Sequence, residues 1–197
     1  MLGYNLAGYL IFAFVTSITP GPNNFLLFSY GKNYGFKDSG KLMAGILAGF
    51  FVMLLATGYG IAEIITQNPV AELILKVLGS AWLLYLAFVL SKLGSEITSD
   101  NAAKIGFGKG FLMQFINFKA WIMAISGASA FMPTYANIHL KVFVFAILFA
   151  LVGIPCMISW VFLGDTISRI LKSERANRML GYTLFILMII SIVMIWI

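Results

Sequence analysis

The sequence predicts an all-α membrane protein with six transmembrane helices, arranged as a 3+3 inverted repeat in which helices 1 and 4 are broken. Three observations carry this prediction. Of the 197 residues, 61% are hydrophobic and 10% charged, whereas a water-soluble domain carries roughly 25% charged residues; there is too little polar surface to wrap a soluble core. The apolar residues fall into six runs, each long enough to cross ~30 Å of hydrocarbon at ~1.5 Å per residue. Polar interruptions lie inside the first and fourth runs, the first of each three-span half.

Span 1 covers about 3–30, with Leu6 to Ile18 and Phe25 to Tyr30 reading as helix on either side of Thr19-Pro20-Gly21-Pro22-Asn23-Asn24. Two prolines and a glycine cannot continue an unbroken helical ladder. Thr19 reads as an N-cap with Pro20 at the first helical position. On that reading the N–H groups of Gly21 and Asn23 point into the gap, together with the positive end of the second half-helix dipole, a ready seat for a carboxylate. The structural alternative is a proline kink that holds no ligand. The N-terminal run lacks a basic region and a small-residue cleavage site, so it reads as a retained transmembrane helix rather than a signal peptide.

A short basic loop with Lys32, Lys37 and Lys41 leads to span 2, about 42–65, where Gly45, Gly49, Ala56 and Gly60 favour close helix packing over a ligand role. Gln67-Asn68-Pro69 predicts a tight turn into span 3, about 70–90. The polar stretch from Ser91 to Gly106 divides the chain three and three. Span 4, about 107–131, carries Gln114, Asn117 and Lys119; span 5, about 142–163, contains Pro155 as a flexing point. The basic stretch from Asp165 to Arg178 suits a helix lying along the interface, and span 6 covers about 179–197. The whole of 1–197 reads as one transmembrane domain. Identity between the halves is confined to fragments such as Gly8-Tyr9-Leu10 against Gly110-Phe111-Leu112. A three-span unit repeated in one chain must be inverted, an architecture recurrent among transporters with sites at broken helices near the midplane.

Lys119 lies about twelve residues into span 4, roughly 18 Å along a helix and near the midplane. A lysine there costs on the order of 3 kcal/mol on insertion scales and is functional or paired. No acid lies three or four residues away on its own helix. It either pairs with an acid elsewhere, such as Glu63, or anchors a substrate carboxylate alongside the Gly21 and Asn23 donors. A zwitterion's ammonium would then meet carbonyls near Ser17 and Ile18. Candidate substrate-binding residues are thus Thr19, Pro20, Gly21, Pro22, Asn23, Asn24, Gln114, Asn117 and Lys119. Glu63 and Asp165, near span ends, read as interfacial acids rather than proton carriers.

The single Cys156 excludes an intrachain disulfide and a cysteine metal cluster, and the single His139 leaves no histidine metal site or Ser-His-Asp triad. No catalytic residue, metal or cofactor is expected. The net charge of +6 reflects membrane orientation rather than a nucleic-acid partner. Lys32, Lys37, Lys41, Lys92, Lys104, Lys109, Arg169, Lys172, Arg175 and Arg178 follow spans 1, 3 and 5, against only Lys76 and Lys141 on the other side. By the positive-inside rule those loops are cytoplasmic and both termini face outward.

These residues resemble the LysE/RhtB family of amino-acid exporters over essentially all six spans. The likeness rests on Ile18-Thr19-Pro20-Gly21-Pro22-Asn23, on Ala44-Gly45-Ile46 with Gly49, on Lys76 to Leu86, and on Gly110-Phe111 leading to Asn117-Phe118-Lys119. The first motif is specific; the glycine patterns are weak alone. The family commonly has Asn-Pro-Lys where this chain has Asn117-Phe118-Lys119, a departure that, with Gln114-Phe115, is similar to the cysteine/O-acetylserine exporter branch and leaves the sharpness of the span 4 break open. The resemblance implies export of small neutral amino acids or derivatives, of the cysteine/O-acetylserine or threonine/homoserine class, across the bacterial inner membrane, driven by the proton gradient. Homo-oligomerisation is left open. The competing readings are a passive small-solute channel, a structural membrane subunit, and a lipid-acting enzyme, for which the sequence lacks a nucleophile, base or metal set.

Overall fold

The regular elements are all helical in the computed structural model, which describes residues 5–61, 67–91, 105–132 and 137–196. In chain order they are α1 (Leu6–Ile18), α2 (Pro22–Asp38), α3 (Gly40–Gly58), α4 (Pro69–Ser91), α5 (Phe107–Leu112), a 3₁₀ turn (Met113–Ile116), α6 (Phe118–Phe131), α7 (Ile138–Ile170) and α8 (Glu174–Trp196). α3, α4, α7 and α8 are each long and apolar enough to cross a membrane. The pairs α1–α2 and α5–α6, bent by 54° and 67°, bring the spans to six when each pair counts as one. Both predicted interruptions are therefore real breaks.

Asparagines set four of the helix starts, because a short side-chain acceptor satisfies first-turn N–H groups that have no intrahelical partner. Asn5 Oδ1 accepts from the Gly8 N–H at 2.8 Å, and Asn68 accepts from Val70 and Ala71 at 3.0 and 3.1 Å. Asn137 accepts from His139 at 2.9 Å and Leu140 at 3.4 Å, and Asn117 from Ala120 at 3.4 Å. The Gln67-Asn68-Pro69 turn is thus an N-cap followed by proline at the first helical position, where its missing N–H costs nothing.

Several element boundaries differ from the sequence reading. The basic loop after span 1 is mostly helix: α2 runs to Asp38, and Ser39 alone separates it from α3. Gly35 supplies the bend with φ +79°. α3 ends at Gly58, and Gly60, at φ +91°, is a turn residue with open space around it rather than a packing glycine. The interfacial helix expected over Asp165 to Arg178 does not form as a separate element. α7 instead continues to Ile170 over 33 residues, about 50 Å, and α8 begins at Glu174. Asp165 and Arg169 pair on the extended end of α7 at 2.8 Å, which carries that helix past the apolar zone. Glu63, Lys92 and Lys104 lie outside the described residues.

Glycine seams join the helices. α3 packs along α5, and α2 along α7. A side chain at Gly45 or Gly49 would run into the carbonyl of Phe107 or Phe111, one at Gly110 into that of Leu42, and ones at Gly31 and Gly164 into those of Val161 and Phe28. Backbone approaches this close are how helices associate in lipid, where no hydrophobic effect draws them together. α4 pairs with α8 through Phe88 against Phe185 and the Trp196 indole donating to Ser80 Oγ at 2.9 Å. Outward faces bear exposed Ile11, Phe14, Leu112, Phe162, Ile170 and Met194, the surface a bilayer covers. Inside, Tyr9, Phe145 and Phe149 form a buried aromatic cluster, with the Tyr9 hydroxyl donating to the Phe145 carbonyl at 2.6 Å.

Candidate functional site

The first break opens between Ile18 and Pro22. Thr19 is extended at ψ 143° and closes α1 as its C-cap. α2 starts at Pro22, with the extended Gly21 at its N-cap. This corrects the reading of Thr19 as an N-cap. Its hydroxyl donates back to the Thr16 carbonyl at 3.0 Å, so Thr19 serves the helix before it.

The carbonyls ending α1 then find donors one after another. Asn24 Nδ2 donates to Ser17 and Thr19, each at 2.8 Å. The Trp160 indole of α7 donates to Ile18 at 3.1 Å. Lys119 Nζ donates to the Thr19 carbonyl at 2.9 Å, to Thr19 Oγ1 at 3.0 Å and to the Pro20 carbonyl at 3.0 Å. An ammonium has three donors, and all three are engaged. Among the described residues Lys119 meets no acid; it is a tie between the two broken spans. The Ser17 and Ile18 carbonyls, expected to receive a substrate ammonium, each already accept one bond, from Asn24 and from Trp160, and each keeps a second lone pair.

The donor side is different. α2 has no side-chain cap, Pro22 lacks an N–H, and the first bond of the helix runs from Phe25 N–H to the Gly21 carbonyl at 2.9 Å. The N–H groups of Gly21, Asn23 and Asn24 precede that bond and have no intrahelical acceptor. Gly21 is also where Lys119 passes closest: an added Cβ would lie 2.8 Å from Lys119 Cδ and 2.9 Å from Nζ.

The second break has no proline. Its 3₁₀ turn ends where Asn117 N–H donates to the Gln114 carbonyl at 3.1 Å, and Asn117 turns extended (φ −84°, ψ 98°) before capping α6. The Trp121 indole takes up the Phe115 carbonyl at 3.0 Å. Phe118 stands where the family resemblance expects proline, and the chain breaks by 67° regardless.

Amide side chains bridge the breaks. Asn23 Nδ2 donates to Gln114 Oε1 at 2.8 Å, while Asn23 Oδ1 accepts from Gln114 Nε2 at 3.2 Å and from Asn117 Nδ2 at 3.1 Å. Gln114 Nε2 also donates to the Gly110 carbonyl at 3.2 Å.

Between the breaks lies a cavity of about 60 Å³. Six of the nine predicted residues line it: Gly21, Pro22, Asn23, Asn24, Asn117 and Lys119. Thr19 and Pro20 are exposed beside it and are tied to its lining through Lys119 and Asn24, and Gln114 is fully buried behind it, holding Asn23. Ser17, named in the sequence reading for its carbonyl, also lines the cavity; that reading missed Thr16 on α1, Ile46, Leu47 and Phe50 on α3, Ala120 and Met123 on α6, and Phe149, Ala150, Gly153 and Met157 on α7. Thr16, polar and close to the motif, was findable; the apolar ones carry no signal beyond ordinary span composition. Among these described lining residues Lys119 is the one charged side chain and none is acidic.

The LysE type translocator family model matches residues 14–195. The chain belongs to this family. Curated relatives of this LysE chain include the cysteine/O-acetylserine efflux protein of Escherichia coli O139:H28 (strain E24377A / ETEC), 28% identical over 185 residues. The proteins of the same name from Escherichia coli strain K12 and Shigella sonnei strain Ss046 are each 27% identical over 185 residues. In every case 93% of this chain and 93% of the relative are covered. No solved structure matches the chain. The LysE match takes in both breaks and all the residues that line the cavity.

Proposed function

We propose that the protein exports small neutral amino acids or their derivatives, of the cysteine/O-acetylserine class, from the bacterial cytoplasm through the inner membrane, coupled to the proton gradient. The observation that carries this reading is the asymmetry at the first break. The carbonyls of Ser17, Ile18 and Thr19 each have a donor, while Gly21, Asn23 and Asn24, which bear the first-turn donors of α2, line a cavity whose charged side chain is a lysine. Such a site takes a carboxylate and repels a cationic side chain. The carboxylate sits on the N–H groups of Gly21, Asn23 and Asn24, assisted by the α2 dipole.

Because Lys119 has no spare donor, the carboxylate engages it by displacing the Thr19 or Pro20 oxygens. Substrate arrival then loosens the tie between the two broken spans, which is what an alternating transporter requires of its ligand. The substrate ammonium faces the Thr16 and Ser17 hydroxyls, which line the cavity. The names of the curated relatives support the substrate class. Two breaks at corresponding places in each three-span half support the 3+3 inverted repeat, and the lysine and arginine bias of the loops in the sequence supports outward termini with cytoplasmic basic loops.

The experiment is efflux from cells overproducing the protein, with cysteine, O-acetylserine, threonine and homoserine measured outside, with and without a protonophore. Excretion that a protonophore abolishes is expected. Excretion indifferent to it would make the protein a passive channel, and no excretion of any of the four would remove the amino-acid reading.

A further inference from the structure

We propose that Gly153 of α7 sets the size limit on the transported side chain, an inference that rests on the cavity being the amino-acid site. Gly153 lines that cavity, and an added Cβ would find one atom within 4 Å, Ser17 Oγ at 3.9 Å. Gly31, Gly45, Gly49, Gly110 and Gly164 differ: each has a neighbouring backbone carbonyl where its side chain would stand.

Gly153 therefore does not serve helix packing, nor backbone freedom, since its φ is not among the positive ones. In a helix interior glycine is ~1 kcal/mol less favourable than alanine, so the position bears a cost that neither packing nor conformation explains. What the missing side chain leaves is space in a cavity of only about 60 Å³. Ala150 and Met157, one turn before and after it, line the same cavity, so α7 forms an apolar wall whose shallowest point is residue 153. The polar groups that hold a carboxylate come from α2 and α6, and the substrate's side chain meets the apolar residues of α3, α6 and α7, among which residue 153 is the one position without a side chain. A pocket that reads size this way discriminates by roughly 10–200-fold per methylene.

The rival explanation is that Gly153, two residues before Pro155, loosens α7 as a hinge. The test separates them. Uptake of radiolabelled L-alanine, L-cysteine, L-threonine, L-leucine and L-phenylalanine is measured in energised inside-out vesicles carrying wild type, Gly153→Ala or Gly153→Val, at matched protein level. Transport of the smallest substrate is expected to stay within about two-fold, while the largest one the wild type carries falls tenfold or more, with Val excluding smaller substrates than Ala does. A parallel fall for every substrate, as a stiffened hinge would give, overturns the proposal, and so does an unchanged profile. Should the valine variant be absent from the membrane, the alanine variant decides, since its Cβ meets only an ordinary contact. If the wild type carries none of the five, the amino-acid reading itself fails, an outcome distinct from wild-type transport with an unaltered Gly153 profile.

Discussion

The two helix breaks reach similar angles by different chemistry. At the first, Pro20 and Pro22 withhold two N–H donors and Gly21 stretches out, so no continuous ladder could form whatever surrounded it. At the second, Met113 to Phe118 contains no proline or glycine, and every residue could in principle continue a helix. It breaks because other groups claim its backbone and side chains: Trp121 takes the Phe115 carbonyl, and Asn23 draws Gln114 and Asn117 across. In a bilayer a break persists only where the freed groups are satisfied by protein or water. Proline makes a break necessary, and partners make it affordable; the second site shows that partners alone suffice.

The sharpest way to break this comparison is to remove the residue joining the two sites. Lys119→Ala takes its donor from the Pro20 carbonyl, leaves the Thr19 carbonyl with Asn24 alone, and removes the cation from the cavity. Transport is expected to fall by tenfold or more, with a loss of stability of only about 1 kcal/mol, because Thr19 and Pro20 are exposed. Efflux at the wild-type rate with protein level held would sink the role given to Lys119.

Next in size are the seams that hold the breaks in register. Gly49→Ala puts a methyl against the Phe111 carbonyl and 2.9 Å from Gln114 Cγ, an overpacking worth about 1–3 kcal/mol. Gly108→Ala on the neighbouring α5 meets nothing within 4 Å and should be neutral or gain up to ~1 kcal/mol. Thermal unfolding in detergent should therefore separate the pair; equal melting temperatures would refute the seam.

A smaller effect tests the amide bridge. Alanine at Asn23, at Gln114, and at both forms a cycle whose coupling energy should be about 1 kcal/mol or more for groups sharing a network. Additive losses would mean that the two amides act independently.

Smallest of all is Phe118→Pro, which restores the proline the family commonly has. Residue 118 is the first of α6 and the preceding Asn117 is already extended, the two conditions proline demands. The fold and transport are expected to survive with a change within about 1.5 kcal/mol, part of it from lost contact with α4 at Gly79. A melting temperature or efflux collapse would show that the second break depends on Phe118 itself.

The first break was legible because its cause is local. Proline and glycine act on their own backbone, so Thr19 to Asn24 announced the interruption without any tertiary knowledge. Its phase was not legible. Whether Thr19 capped the helix after it or closed the helix before it depended on which oxygens found donors, and Asn24, Trp160 and Lys119 all donate to the carbonyls of residues 17–20 where α1 ends. Lys119 was recognised as anomalous because a midspan charge is costly wherever it sits. Its partners could not be read, because they are backbone oxygens about a hundred residues away and carry no sequence signal. The same holds for Gly153: glycines in the spans look alike in sequence, and only the neighbouring atoms separate a packing seam from an open wall.

By itself, then, the sequence determined the features set by composition and local backbone chemistry: a helical membrane protein, the six apolar runs, the turn at Gln67-Asn68-Pro69, and a break where prolines forbid a ladder. The tertiary structure decided everything that depends on which distant group satisfies a freed one. It turned Lys119 from a free cation into a tie, gave the Ser17 and Ile18 carbonyls donors of their own, broke span 4 without proline and placed Gly153 on open space. The reason is physical: in a medium without water, each exposed donor or acceptor must find its partner inside the protein, and that partner is chosen by packing rather than by sequence neighbourhood.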